Sequence, residues 1–315
     1  MALRSRQGSG RRPLAIVLAI GLFAGGIYLG TRLAEPPPRP HLPPEEEVIH
    51  EGHLDKKSRQ DHGERPKAAR PVVAEPRGAE PERQPPPQGR GGPRIAIVID
   101  DLGRSVDAVD ALLELGEPIT FAVLPFESET PQVASRLREA GAEMILHLPM
   151  EARGKNNPGP GALLLAMSRA ELQQGTRQAL AAVPGAQGVN NHMGSALAAD
   201  GEKMKAVLEV LKEEKLFFLD SRTAADTQGY TVARRLGLPA AERQMFLDNV
   251  RDTAAIITQL QELYNLARSR GGAIAIAHPY AETLSALRTE LPRARAAGVE
   301  IVPLHQMLEG RPASN

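Results

Sequence analysis

Beyond about residue 93, short apolar runs alternate with longer stretches in which apolar residues recur every three or four positions, and turn or capping residues stand at the joins. That rhythm is the mark of repeated βα units. The apolar runs predict strands over 94–99, 119–123, 143–146, 187–190, 217–219, 244–247, 273–277 and 300–302, with helices filling most of the gaps. Ser168 followed by Glu171 has the pattern of a capping box, and Leu172, Ala179 and Leu180 then recur at helical spacing. Leu208, Leu211, Leu260, Leu263 and Leu266 form similar stripes, which core packing explains. Parallel strands in such a series predict an α/β fold. The expected form is a (β/α) barrel of seven or eight strands, whole or distorted and incomplete, with an open doubly wound sheet as the alternative. No Gly-x-Gly-x-x-Gly turn follows the first strand, which argues against dinucleotide binding.

Ahead of this region the pattern is of another kind. Residues 1–13 are basic, with Arg4, Arg6, Arg11 and Arg12, and 14–31 hold an uncharged, mostly aliphatic run that reaches Gly30. At about 17 residues the run is at the short limit for spanning a bilayer. The arginines before it predict an inner-membrane signal anchor with the rest of the chain in the periplasm or otherwise outside the cytoplasm. A cleaved signal peptide, which would leave a secreted protein, is the rival; Arg32 and Leu33 interrupt a small-x-small cleavage site. Residues 32–93 are dense in Pro, Arg, Glu and Gly, with triple-proline runs at 36–38 and 85–87, and predict a disordered, semi-extended linker. His41, His50, His53 and His62 fall within it and read as solvated tail residues. The folded domain is expected over 94–310.

Composition narrows the chemistry. With 38 basic and 38 acidic residues the net charge is zero, so no global field attracts nucleic acid, and none is expected as a partner. There is no cysteine, so a metal would have to be held by His, Asp or Glu. Only 3% of residues are aromatic and there is no Trp, which leaves no obvious platform for stacking a sugar.

The polar residues stand where a site would need them. The first predicted strand runs into Asp100-Asp101, the third into His147, the fourth into Asn190-Asn191-His192, the fifth into Asp220 and the seventh into His278. In parallel α/β folds the C-terminal strand ends share one face, so these residues are expected to converge. Each alone has a plainer explanation, such as Asp220 capping a helix, but five strands delivering acids, amides or imidazoles to one rim predict a site. His305, just past the last strand with no acidic neighbour in sequence, reads as structural or solvated. Two histidines and a carboxylate make a three-ligand metal site that can activate water. A second carboxylate could take the water's proton and an imidazole could protonate a leaving group, for which Asp100 and His278 are the candidates.

At Ile99-Asp100-Asp101-Leu102-Gly103, Thr120-Phe121-Ala122-Val123 and residues 143–147 the chain resembles the polysaccharide deacetylases, especially their divergent branch. The resemblance runs past His278. It implies that Asp100 is the base, Asp101 a metal ligand and His278 the general acid. Ordinary members carry a second histidine four residues after the first, where this chain has Glu151, and an arginine-proline motif in the segment where it has Gly188 to Ser195, which includes His192. His192 is therefore taken as the replacement imidazole, giving Asp101, His147 and His192 as ligands of a divalent cation, zinc foremost. Glu151 is the alternative third ligand, and Asn191, Asp220 and Arg222 are candidates for ligand or substrate contacts.

Two functions follow as expectations. One is a metal-dependent hydrolase removing acetyl groups from an envelope polysaccharide or peptidoglycan-like glycan. The other is a non-catalytic module on the same fold that binds glycan or an envelope protein. A sugar-phosphate enzyme ranks last, because only Arg104 and Arg222 are expected near the rim.

Overall fold

The computed structural model describes residues 92–308. The apolar run at 14–30, the proline-rich stretch and its four histidines lie outside the described residues. Among the described residues, nine strands and seven α-helices alternate. In chain order they are β1 (Arg94–Leu102), α1 (Val106–Leu113), β2 (Thr120–Val123), α2 (Thr130–Glu139), β3 (Glu143–Met150), α3 (Arg169–Ala182), β4 (Gly188–Met193), α4 (Gly201–Glu213), β5 (Phe217–Asp220), α5 (Gly229–Arg235), β6 (Ala240–Glu242), β7 (Met245–Phe246), α6 (Thr253–Arg270), β8 (Gly272–Ala277), α7 (Ala281–Ala296) and β9 (Glu300–Ile301). Among these residues no helix is long and apolar enough to cross a membrane.

Local chemistry sets the helix boundaries. Ser168 and Glu171 form the capping box at α3, each satisfying the other's backbone N–H. Asp200 caps α4 and Asp252 caps α6, each by accepting from backbone N–H groups of the first turn. The last of these helices ends at Gly271, whose φ of 82° suits a residue without a Cβ.

All strand pairings are parallel, in the order β6-β5-β4-β3-β2-β1-β8-β7, with β9 paired to the start of β1. The sheet is curled into an incomplete barrel. Its two edges, β6 and β7, belong to a single stretch of chain that leaves β5 and steps across to β8 through Arg243 and Gln244. Strand alternation splits the apolar residues into two cores. Ile95, Ile97 and Ile99 face the helices with Leu146, Leu208 and Leu260, whereas Ala96, Val98, Ala122, Ile145, Leu219 and Ile276 fill the barrel interior. Leu304, from the 3-10 turn Leu304–Met307, joins the interior core at the end where the strands begin.

The structure differs from the sequence reading in three places. β1, β3 and β4 run on to Leu102, Met150 and Met193, so the polar residues expected just past the strands lie inside them. β6 was not expected: Ala240-Ala241-Glu242 is too short to show a period and has no β-branched residue. His305 does meet an acid, because β3 begins beside it; its Nδ1 lies 2.5 Å from Glu143 Oε2. That pair sits at the strand-start end of the barrel, away from the C-terminal rim.

Candidate active site

Period-two alternation gathers the site. Ala96 and Val98 face the barrel interior, and the same face of β1 continues to Asp100. Ile145 leads in the same way to His147, and Ile276 to His278, while β4 contributes Asn190 and His192. Asp101, next in line, should point outward. It does not, because the register between β1 and β2 shifts between Ile99 and Leu102, and Asp101 takes the left-handed conformation at φ 59°. This bulge turns both consecutive carboxylates toward His147. His147 Nε2 lies 3.5 Å from Asp100 Oδ2 and 3.2 Å from Asp101 Oδ1.

Three ligand-type atoms close a small triangle: Asp101 Oδ1, His147 Nε2 and His192 Nδ1. His192 Nδ1 is 3.0 Å from Asp101 Oδ1 and 3.1 Å from His147 Nε2. Asn190 decides what the triangle offers. Its Nδ2 donates to Asp100 Oδ1 at 2.8 Å, so its Oδ1, 2.8 Å from His147 Nδ1, must accept from that nitrogen. In its neutral form His147 then presents a lone pair at Nε2 toward a carboxylate that is itself an acceptor. Asp101 Oδ1 is buried and takes no well-aligned hydrogen bond, despite these neighbours. A cation answers that arrangement. A tetrahedral ion with bonds of about 2.0–2.1 Å spaces its ligands by about 3.3 Å, close to the triangle's edges. The three residues therefore fit a divalent ion with nitrogen and oxygen ligands.

The electrostatics agree with a cation trap. Burial works to raise the Asp101 carboxyl, but contacts with His147 and His192 outweigh it and hold the group far below the carboxylate range. Burial pushes His147 down, and Asp100 and Asp101 more than reverse this, so without a metal the imidazole holds a proton above its usual range. Asp100 is raised by burial, against the pull of His147 and His278.

His278 stands across from this cluster, its Nε2 4.0 Å from Asp101 Oδ2. Its Nδ1 donates to Asp248 Oδ1 at 3.0 Å, and Asp248 Oδ2 accepts from the His278 backbone N–H and the Thr283 hydroxyl. Burial depresses the imidazole but Asp248 overrides it, pushing His278 up to about 9. Asp248 directly follows the 244–247 run, so the strand-end rule used for the other residues would have found it.

The other sequence candidates lie elsewhere. Glu151 is outside the triangle; its carboxylate accepts from the Leu165 backbone N–H at 2.7 Å. Asn191 ties strand ends together through the Ser221 N–H and the Met193 carbonyl. Asp220 holds the turn into α5 by accepting from Thr227, Tyr230 and Arg222. Arg222 pairs with Glu242, and Arg104 with Glu127. Arg243 had no signal in the sequence, since it lies between two strands too short to read. It donates to the Ser221 and Arg222 carbonyls, and burial and Arg222 lower its guanidinium to about 10.

A curled parallel sheet with two carboxylates and three imidazoles on its C-terminal rim defines a barrel-like α/β domain of the polysaccharide deacetylase kind. The chain belongs to the divergent polysaccharide deacetylases, whose family model matches residues 97–308. It is 35% identical over 195 residues to the uncharacterized protein YibQ of Escherichia coli strain K12, covering 62% of this chain and 61% of that one. An uncharacterized protein of Haemophilus influenzae is 34% identical over 201 residues, covering 63% and 71%. The chain thus spans less than two thirds of the E. coli relative's length. The crystal structure of the uncharacterized protein ATU2773 from Agrobacterium tumefaciens C58 is similar at a TM-score of 0.66 and 26% identity, over 70% of this chain and 90% of that one.

Proposed function

We propose that the domain is a metal-dependent hydrolase that removes acetyl groups from an envelope glycan. The observation that carries this reading is the triangle of Asp101 Oδ1, His147 Nε2 and His192 Nδ1, with a buried carboxylate on one side and an Asp-oriented imidazole on the other. A divalent cation, zinc being our choice for two imidazoles and a carboxylate, would supply Lewis acidity toward water and the acyl oxygen. Asp100, held in place by Asn190, takes the proton that water gives up as it adds to the acyl carbon. His278, oriented by Asp248, gives a proton to the departing nitrogen or oxygen as the acyl bond breaks, leaving acetate and a free amine or hydroxyl. The Asp248–His278 pair favours turnover over a purely binding module, since it orients an imidazole nitrogen toward the cluster, where a proton donor is needed.

The test combines metal analysis with acetate release from a panel of N- and O-acetylated glycans. Asp100→Asn is expected to keep the metal and lose acetate release, because it removes a base and no ligand. Metal without release from any substrate supports the binding module instead. We further propose that the domain works outside the cytoplasm, tethered to the membrane by 14–31 and spaced from it by 32–93, on the strength of the arginine-flanked apolar run. A reporter fused after Asn315 should be active only outside the cytoplasm, and cytoplasmic activity would overturn the address.

A further inference from the structure

The rings beside His278 form a chain of contacts that the hydrolytic chemistry does not itself require. Phe246 stacks on the imidazole at 6.0 Å and 21°, and Tyr280 at 5.5 Å and 29°. Each ring also carries an arginine, Arg243 lying 3.7 Å from the Phe246 centroid and Arg251 3.8 Å from that of Tyr280. The two cations differ in what they have left to offer. Arg243 is half-buried and holds two backbone carbonyls. Arg251 is exposed, and among the described residues its guanidinium makes no hydrogen bond and pairs with no carboxylate. A guanidinium oriented on an aromatic face with all its donors unused is prepared to receive an oxyanion.

A second observation concerns the apolar rim. The exposed large hydrophobic residues among those described are Phe126 (45%), Leu164 (39%) and Val250 (63%), and all three lie in loops that follow the C-terminal ends of strands. Phe126 is held at φ 61°, a conformation costly for a bulky side chain, with its ring over Gly161. In the order β3-β2-β1-β8-β7, Leu164 and Phe126 come after β3 and β2, while Val250 and Arg251 come after β7. Asp101, on β1, falls between them. The rim thus presents Phe126 and Leu164 on one side of the site, and Val250 with the unpaired cation on the other.

We infer that the substrate is an acidic acylated glycan: its sugar faces lie against Phe126 and Leu164, and a carboxylate or phosphate on the polymer is held by Arg251. This rests on the hydrolase reading above and names its substrate class. The test uses the full-length protein loaded with zinc, in an Asp100→Asn background so that nothing is consumed. Calorimetry compares three N-acetylated oligosaccharides of equal length, one neutral, one bearing carboxylates and one bearing phosphates. At least one acidic ligand should bind about tenfold more tightly than the neutral one, and the two acidic arms tell carboxylate from phosphate. Arg251→Ala should bring the acidic-to-neutral ratio to about one, and Arg251→Lys should restore part of it, keeping charge without the planar fork. Arg177→Ala, on α3 and paired with Glu213, should leave the ratio unchanged. Equal binding of all three ligands, or a ratio indifferent to Arg251→Ala, overturns the inference. A retained acidic preference without acetate release by the unmutated enzyme overturns the hydrolase reading alone, and no binding of any ligand overturns both.

Discussion

At the scale of single residues, the site depends on groups that fix protons rather than only on those that face a cation. Asn190 bridges His147 and Asp100 and sets the imidazole's tautomer, so Asn190→Ala should cost about 10–100-fold in metal affinity, as loss of an outer partner does. His192→Ala should cost more than that, and Glu151→Ala little; metal titration of the three variants orders them. Metal-free Glu151→Ala beside an unaffected His192→Ala would reverse the ligand assignment. Asp248 allows a pH test. In the metal-free protein, His278 titrates at about 9 against an ordinary 6.5, so the stability its proton contributes is fully present below about pH 6.5 and is lost as pH rises through about 9. The urea-midpoint gap between wild type and Asp248→Asn should therefore narrow over that window. A gap that stays constant with pH would mean that Asp248 acts only through its bonds to the His278 N–H and Thr283.

Element by element, the site is built where strands break their own rules. A regular β1 would send Asp100 and Asp101 to opposite faces; the bulge and the left-handed Asp101 bring both inward. β4 ends similarly, with Met193 at φ 50° and Gly194 at φ 88° turning the chain immediately after His192. A Cβ at Gly194 would adopt a left-handed conformation and come within 3.0 Å of the Met150 Cβ. Gly194→Ala is expected to lose about 1–2 kcal/mol in thermal or urea unfolding. It should also weaken metal binding, since His192 lies two residues away; unchanged metal affinity would show that the turn does not govern the imidazole.

For the whole molecule, the barrel's two ends have separate tasks. The C-terminal rim carries the cluster that could hold a metal, while the opposite end is sealed by Leu304, whose backbone N–H donates to Thr120, and by the His305–Glu143 pair. Leu304→Ala should cost about 2–5 kcal/mol in unfolding free energy, as loss of a buried leucine does, and leave metal affinity unchanged. Loss of metal together with stability would show that the two ends are coupled.

The sequence by itself determined the class of the fold and which polar residues gather on one rim. Apolar runs at βα spacing imply a parallel sheet, and a parallel sheet places every strand's C-terminal end on one rim, so Asp100, His147, His192 and His278 could be read as neighbours across 178 residues of chain. The capping box at Ser168 and the helix stripes were legible for the same reason: they are set by residues close in sequence. What periodicity could not carry was left to the tertiary structure. It decided that the sheet's edges are one short segment, that Asp101 turns inward, that Glu151 binds the backbone instead of joining the cluster, and that His305 meets Glu143. Each depends on contacts between residues far apart in the chain or on one left-handed residue, and neither leaves a repeating trace in the order of apolar and polar side chains.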